Sequence, residues 1–300
     1  GLSSHERNQP GCYRDVKDTT MVAQFKIKDP KPEMTGWGTP YFLAWTTTPW
    51  TLPSNTALCV GPKFDYVVVQ SYNAYNGEPI TVVLAHFNPK AADLNLEDYK
   101  PGDKLVPFKV VAEYKGTELV GMEYEQLIPW VKPIEVSEDG MWKVSDKGFR
   151  VIQGDYVTTE DGTGIVHIAP TFGADDANVA RAAGIPSLFM INKKGETRPM
   201  VDLTGKFYLL DELDERFVKE CVDVDKYKEY QGAWVKNAYD PQFTVDGKYD
   251  EKAALAAESL DIALCMMMKA GKQAFKIEKH VHNYPHCWRT DKPVLYYPLD

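Results

Sequence analysis

The chain has 300 residues, 44% of them hydrophobic and 26% charged, which is enough for a sizeable core in one large domain or two smaller ones. Its formal net charge of -9 argues against non-specific adhesion to nucleic acid, which needs a surplus of Lys and Arg, and leaves open only a local basic patch. Five scattered cysteines without a Cys-x-x-Cys pair favour reduced thiols over a disulfide framework. No run approaches about eighteen apolar residues and the first residues lack a signal-peptide layout, so a cytoplasmic location without membrane attachment is expected.

Residues 1–18 are polar, with Pro10 and Gly11, and read as a linker or terminal arm leading into a short strand over 21–27. Short apolar or β-branched runs follow over 42–48, 56–60, 66–71, 80–86 and 105–114, separated by Pro, Gly and Asn. The pattern continues over 148–158 and 163–169, with Glu160-Asp161-Gly162 as a hairpin-type turn between them. Such regular spacing predicts a barrel or a strongly bent sheet. Helices come later. The first, 174–183, opens on Asp175 and Asp176 and stops at Gly184 with Pro186 beyond. Two amphipathic candidates follow over 211–222 and 250–269, and Met266-Met267-Met268 in the second reads as core packing.

Three constellations could carry chemistry. In Trp45-Thr46-Thr47-Thr48-Pro49-Trp50-Thr51-Leu52-Pro53-Ser54-Asn55, a strand ends in three threonines before two prolines halt the sheet. Strand propensity alone accounts for that; so would a rim of hydroxyls able to hold a water or a ribose. The second runs Gly162-Thr163-Gly164-Ile165-Val166-His167-Ile168-Ala169-Pro170, then Phe172-Gly173-Ala174-Asp175-Asp176. It is not a phosphate-binding loop, because its Gly-Thr-Gly precedes the strand and no Gly-Lys-Ser/Thr element is present. What remains is a histidine near a strand end and two carboxylates in a first helical turn. The dipole is expected to hold such a carboxylate ionised, a good partner for an ammonium group and a poor general base, unless both aspartates merely cap the helix. The third, His280, His282, His286 and Cys287, has zinc-type donors, but Pro285 and strand-like flanks spoil the spacing, so no metal is expected. No Ser-His-Asp order or Gly-x-Ser-x-Gly elbow stands out.

Together the first two motifs resemble the insertion domain that edits mischarged tRNA in the class I synthetases for isoleucine, valine and leucine. The likeness covers most of the chain. Thr47-Thr48-Pro49 is similar to the isoleucine enzyme in particular, where the valine and leucine relatives carry Thr-Thr-Arg-Pro. Cys12-Tyr13-Arg14-Asp15-Val16-Lys17 and Tyr284-Pro285-His286-Cys287-Trp288-Arg289 resemble the segments joining the insertion to the synthetic domain.

The resemblance implies an α+β fold, a β-barrel-rich editing domain with peripheral helices. It divides the chain into an incoming linker and short strand (1–35), a barrel-like core (36–210), a helical periphery (211–279) and a return segment (280–300). It implies that Asp176 holds the substrate's α-ammonium and that Thr46, Thr47 and Thr48 surround the scissile ester and terminal ribose. His167 would border the amino-acid pocket, with Trp45, Asn55 and Phe172 as further substrate contacts. The partners would be the acceptor end of tRNA(Ile) carrying valine and the rest of the synthetase chain. Editing would need no cofactor; ATP and Mg would belong to the synthetic domain, whose His-Ile-Gly-His and Lys-Met-Ser-Lys-Ser signatures are absent. The isoleucine enzyme is itself the usual illustration of why editing exists: one missing methylene changes binding by only about 1 to 3 kcal/mol. Three other readings stay open: the same editing activity in a valyl or leucyl enzyme, disfavoured by the missing arginine after Thr47-Thr48, a docking module for the tRNA acceptor end, and a hydrolase of an unrelated ester or amide.

Overall fold

The computed structural model describes residues 1–85 and 94–298. Its strands are β1 (Tyr13–Lys26), β2 (Thr39–Thr46), β3 (Ala57–Val60), β4 (Asp65–Tyr72), β5 (Pro79–Leu84), β6 (Lys109–Lys115), β7 (Ile134–Val136), β8 (Trp142–Val144), β9 (Arg150–Gln153), β10 (Ile165–Ile168), β11 (Met190–Ile191), β12 (Thr197–Arg198), β13 (Thr244–Val245), β14 (Lys248–Tyr249) and β15 (Ala274–Pro285). The helices are short: α1 (Ser4–Arg7), α2 (Gly116–Leu119), α3 (Ala174–Ala182), α4 (Glu215–Cys221), α5 (Val224–Tyr227), α6 (Glu251–Ala256) and α7 (Leu260–Ala270). This is the α+β class expected.

β1 changes character at its middle. From Tyr13 to Thr20 it pairs with β15 alone, as a two-stranded ribbon; it becomes mostly buried from Thr19, and from Met21 it gains β2 on its other edge. The last part of the supposed arm, residues 13–18, is therefore the first half of a long strand, because a second chain segment supplies the hydrogen bonds that its polar sequence could not advertise.

β2 carries the fork of the sheet. Its first half runs parallel to β5, and at Trp45 it turns to pair with Val166 of β10. The Gly162-Thr163-Gly164 turn fills the fork: Thr163 Oγ1 donates to the Leu43 carbonyl at 2.6 Å, and Ala85 N donates to the Thr163 carbonyl at 2.8 Å. Both glycines have positive φ, +77° and +73°, and a Cβ on Gly164 would collide with Ala85. Thus the turn at 160–162 does not join a hairpin. β9 and β10 lie on opposite sides of β3, which is parallel to the first and antiparallel to the second.

The sheet then curls shut. Residues 121–125 bridge β9 to the end of β1: Gly121 N donates to the Val151 carbonyl, Tyr124 N to Phe149 O, Lys28 N to Glu123 O and Glu125 N to Lys26 O, all within 3.0 Å. Met21, Ala23 and Phe25, every second residue of β1, point into the resulting barrel with Phe42, Leu58 and Tyr124. Phe25 and Tyr124 meet edge to face, with ring centroids 5.4 Å apart. β4, β5 and β6 form an antiparallel wing off β2. The expected strand 80–86 ends in His86, which lies outside the described residues.

The expected helix 211–222 starts later than its acidic run suggests, since Asp214 is the cap that accepts Phe217 N at 2.8 Å. The expected helix 250–269 is two helices, because Ser259 caps α7 by accepting Ile262 N and so interrupts the run. Met268 is in the core and Met266 is exposed, so the methionine run is split between packing and solvent. Among the described residues no helix is long and apolar enough to cross a membrane.

Candidate active site

Thr46 ends β2, and its Oγ1 accepts the backbone N–H of Thr48 at 3.0 Å, which turns the chain out of the sheet. Pro49 then opens a 3-10 helix, Pro49–Ser54, where its missing N–H costs nothing. Three residues per turn set Thr51 over Thr48, whose carbonyl accepts the Thr51 hydroxyl at 2.9 Å. The threonine run thus becomes a turn presenting side chains and backbone along one wall of a cavity of about 430 Å³. This is the size of a small-molecule site.

The facing wall comes from the Gly162–Gly164 turn, β10 and the segment after it, which brings Phe172 and Asp176 to the cavity. Trp45, Thr46, Thr47, Thr48, His167, Phe172 and Asp176 all line it. Asn55 does not. It is buried behind His167, where its amide Nδ2 reaches the His167 Nδ1 at 2.8 Å and donates to the Ala57 carbonyl at 2.9 Å. Its expected place as a substrate contact becomes that of a support for a residue that does face the cavity.

The hydrogen bonds around His167 fix its state. Asn55 Oδ1 accepts the Tyr124 hydroxyl at 2.6 Å, so Nδ2 is the donor toward the ring and Nδ1 is an acceptor. The remaining ring N–H, on Nε2, points to Thr51 Oγ1 at 2.9 Å. Burial lowers the pKa of this imidazole to about 3. A neutral ring whose lone pair is already used makes a wall, not a general base.

Asp176 stands differently from expectation. It does not cap its own helix: its Oδ2 accepts the backbone N–H of Ala169 at 2.9 Å, while Asp175 is exposed. Burial raises its pKa to about 6, against the Ala169 hydrogen bond that lowers it, and the nearby Asp175 raises it further. The helix dipole was expected to dominate and desolvation outweighs it, because the carboxylate turns inward. The opposing walls are tied behind the cavity by Trp50 and Phe172, whose rings meet at 4.9 Å.

None of the protein-family models compared matches the chain. Over its whole length the chain is 88% identical to the isoleucine–tRNA ligase of Bacteroides thetaiotaomicron, 58% identical to that of Porphyromonas gingivalis and 36% identical to that of Clostridium acetobutylicum. The chain belongs to the isoleucine–tRNA ligase family, as a segment of it. It spans 26%, 25% and 21% of the length of those three relatives. Among solved structures, the cytosolic leucyl-tRNA synthetase editing domain of P. falciparum overlaps 60% of the chain and 76% of its own length, at 11% identity and a TM-score of 0.39.

In this isoleucine–tRNA ligase segment the two histidines of β15 and His286 just beyond it do not converge on a common site. His282 Nε2 meets Asp18 Oδ2 at 2.8 Å, His286 Nδ1 donates to the Tyr284 carbonyl at 2.9 Å, and His280 packs edge to face on Trp45 at 5.4 Å. Among the described residues no three His, Cys, Asp or Glu side chains could hold a metal. Sequence reasoning passed over Thr51 and Tyr124. The three-residue spacing from Thr48 to Thr51 was a usable signal for the first; nothing local marks the second, which reaches Asn55 from 69 residues away.

Proposed function

We propose that this segment hydrolyses the aminoacyl ester of valyl-tRNA(Ile), as the editing part of an isoleucine–tRNA ligase. The observation that carries the reading is the pairing across one cavity of an inward-facing carboxylate, Asp176, with the hydroxyl-lined turn Thr46–Thr48. Asp176 holds the α-ammonium of the amino acid, and an arriving cation favours its ionised form. The threonine turn surrounds the ester and terminal ribose, Thr47 and Thr48 offering donors to the developing oxyanion. Trp45 and Phe172 flank the substrate, and the His167 ring borders its side chain.

A neutral, hydrogen-bonded His167 supports a mechanism without a protein base. Water adds to the ester carbonyl, the bond to the ribose oxygen breaks, and that oxygen takes the proton, with the neighbouring ribose hydroxyl orienting the water. The reaction needs no metal or cofactor; ATP and Mg serve the synthetic part of the parent enzyme. The partners are the acceptor end of tRNA(Ile) and the rest of the synthetase, in the cytoplasm. The test is side-by-side deacylation of valyl-tRNA(Ile) and isoleucyl-tRNA(Ile) by the chain, with the valyl ester expected to be lost faster. Binding without hydrolysis would make it a docking module, and hydrolysis of esters lacking the adenosine end would make it an unrelated hydrolase.

A further inference from the structure

Among the described residues, Asp261 is the most deeply buried carboxylate, 5% exposed, in the first turn of α7. A carboxylate there ordinarily serves its own helix. This one does not: Ser259 already caps α7, and Asp261 Oδ1 accepts the backbone N–H of Trp50 at 2.9 Å. That amide has a particular need. Of the first residues in the 3-10 helix after the threonine turn, Pro49 has no N–H and Thr51 N bonds the Thr48 carbonyl at 3.0 Å, which leaves Trp50 N needing an acceptor from elsewhere. The indole Nε1 of Trp50 is buried without a partner, so the ring is not tied by a hydrogen bond of its own. Its face against Phe172 joins the threonine turn to the Asp176 wall. Burial pushes the Asp261 carboxyl up to about 7; Lys236, the Trp50 N–H and Lys279 favour its charge, and Asp18 opposes it.

We infer that Asp261 is a positioning residue for the cavity: from α7 it fixes the Trp50 amide, and through it both the Thr46–Thr48 turn and Phe172. The helical periphery is therefore part of the site's machinery, a role that rests on the hydrolytic reading above. Positioning errors near 1 Å cost on the order of a hundredfold in rate.

The test compares two variants of equal shape and equal charge. Asp261→Asn keeps an acceptor for Trp50 N, and Asp261→Leu removes it. In the Leu variant, kcat on valyl-tRNA(Ile) falls at least about tenfold with KM little changed, and Trp50 amide exchange, followed by NMR, accelerates by a similar factor. The Asn variant stays near the parent on both counts. A Leu variant that keeps the parent's kcat or its slow Trp50 exchange overturns the proposal, as does equal loss in both variants, the mark of charge removal alone. Asp261→Ala is compared with Asn in the same way where Leu does not fold. A parent chain that fails to hydrolyse the valyl ester sinks the proposed function, and amide exchange then decides the role of Asp261 by itself.

Discussion

The Asn55 side-chain amide donates to Nδ1 of His167 across 2.8 Å, and that one bond commits the ring to carrying its proton on Nε2, toward Thr51. The ring is consequently a rigid, neutral wall at the cavity. Rigid walls select by size, which is what discrimination between valine and isoleucine requires. Replacing His167 with alanine is expected to raise hydrolysis of isoleucyl-tRNA(Ile) relative to valyl-tRNA(Ile) by about tenfold or more. Asn55 keeps its bond to the Ala57 carbonyl in that variant, so the barrel retains an anchor there. A folded variant with the parent's ratio would take His167 out of the sieve.

The same buried ring makes a second, independent prediction about stability. Its pKa is about 3 in the folded chain, below the ordinary value of 6.5. Between these values the unfolded chain binds a proton that the folded chain refuses. The stabilising contribution is complete above about pH 6.5 and is lost as pH falls toward 3, at about 1.4 kcal/mol per pH unit. Urea unfolding at pH 7 and pH 5 should show a drop about 2 kcal/mol larger in the parent than in His167→Gln, whose side chain does not titrate. Equal drops would mean that His167 protonates freely in the folded state.

Much of this was legible in residues 41–60 and 162–176, where short β-branched runs, prolines and glycines state the local backbone directly. The threonine turn and the approach of Asp176 to it follow from such local signals. Partnership across the chain was not legible. Residues 13–18 look like a tail until β15 pairs with them, and the break at Ser259 is hidden by apolar residues continuing on both sides. Inward and outward carboxylates look alike in Asp175-Asp176, and only packing decides which is desolvated. Tyr124 and Asp261 act on the site from 69 and 211 residues away from their partners, beyond any sequence window.

Removing the Asp176 charge while keeping its shape isolates its part in binding the ammonium. Asp176→Asn retains an oxygen for the Ala169 N–H and the volume of the side chain, so circular dichroism should change little, and the unfolding midpoint at neutral pH should rise, since no buried charge remains. Hydrolysis of valyl-tRNA(Ile) should fall by about a hundredfold or more, the loss expected when a charge-assisted anchor meets a desolvated cation. Asp175→Asn, on the exposed neighbour, should cost far less at neutral pH. Full activity in a folded Asp176→Asn variant would remove Asp176 from the mechanism.

Those two carboxylates also fix the acid limb of the pH profile. Asp176 has a folded pKa of about 6, raised chiefly by burial and further by Asp175. Only its ionised form can hold an ammonium ion, so kcat/KM for the valyl ester should decline as pH falls through about 6. The linkage sign for stability is opposite to that of His167. Because the folded pKa is raised, the folded chain binds the extra proton, and ionised Asp176 costs stability above about pH 6 that activity requires. Asp175→Asn removes the neighbouring charge while leaving burial and the Ala169 bond in place, so the limb should move to lower pH. Raised salt should move the parent limb the same way, because Asp175 is exposed and its field is screened. The substrate's own ammonium titrates identically in parent and variant, so it drops out of the difference between the two profiles. A limb that stays in place in Asp175→Asn would assign the acid titration to another group, while a limb that moves identifies the titrating carboxylate as one that feels Asp175.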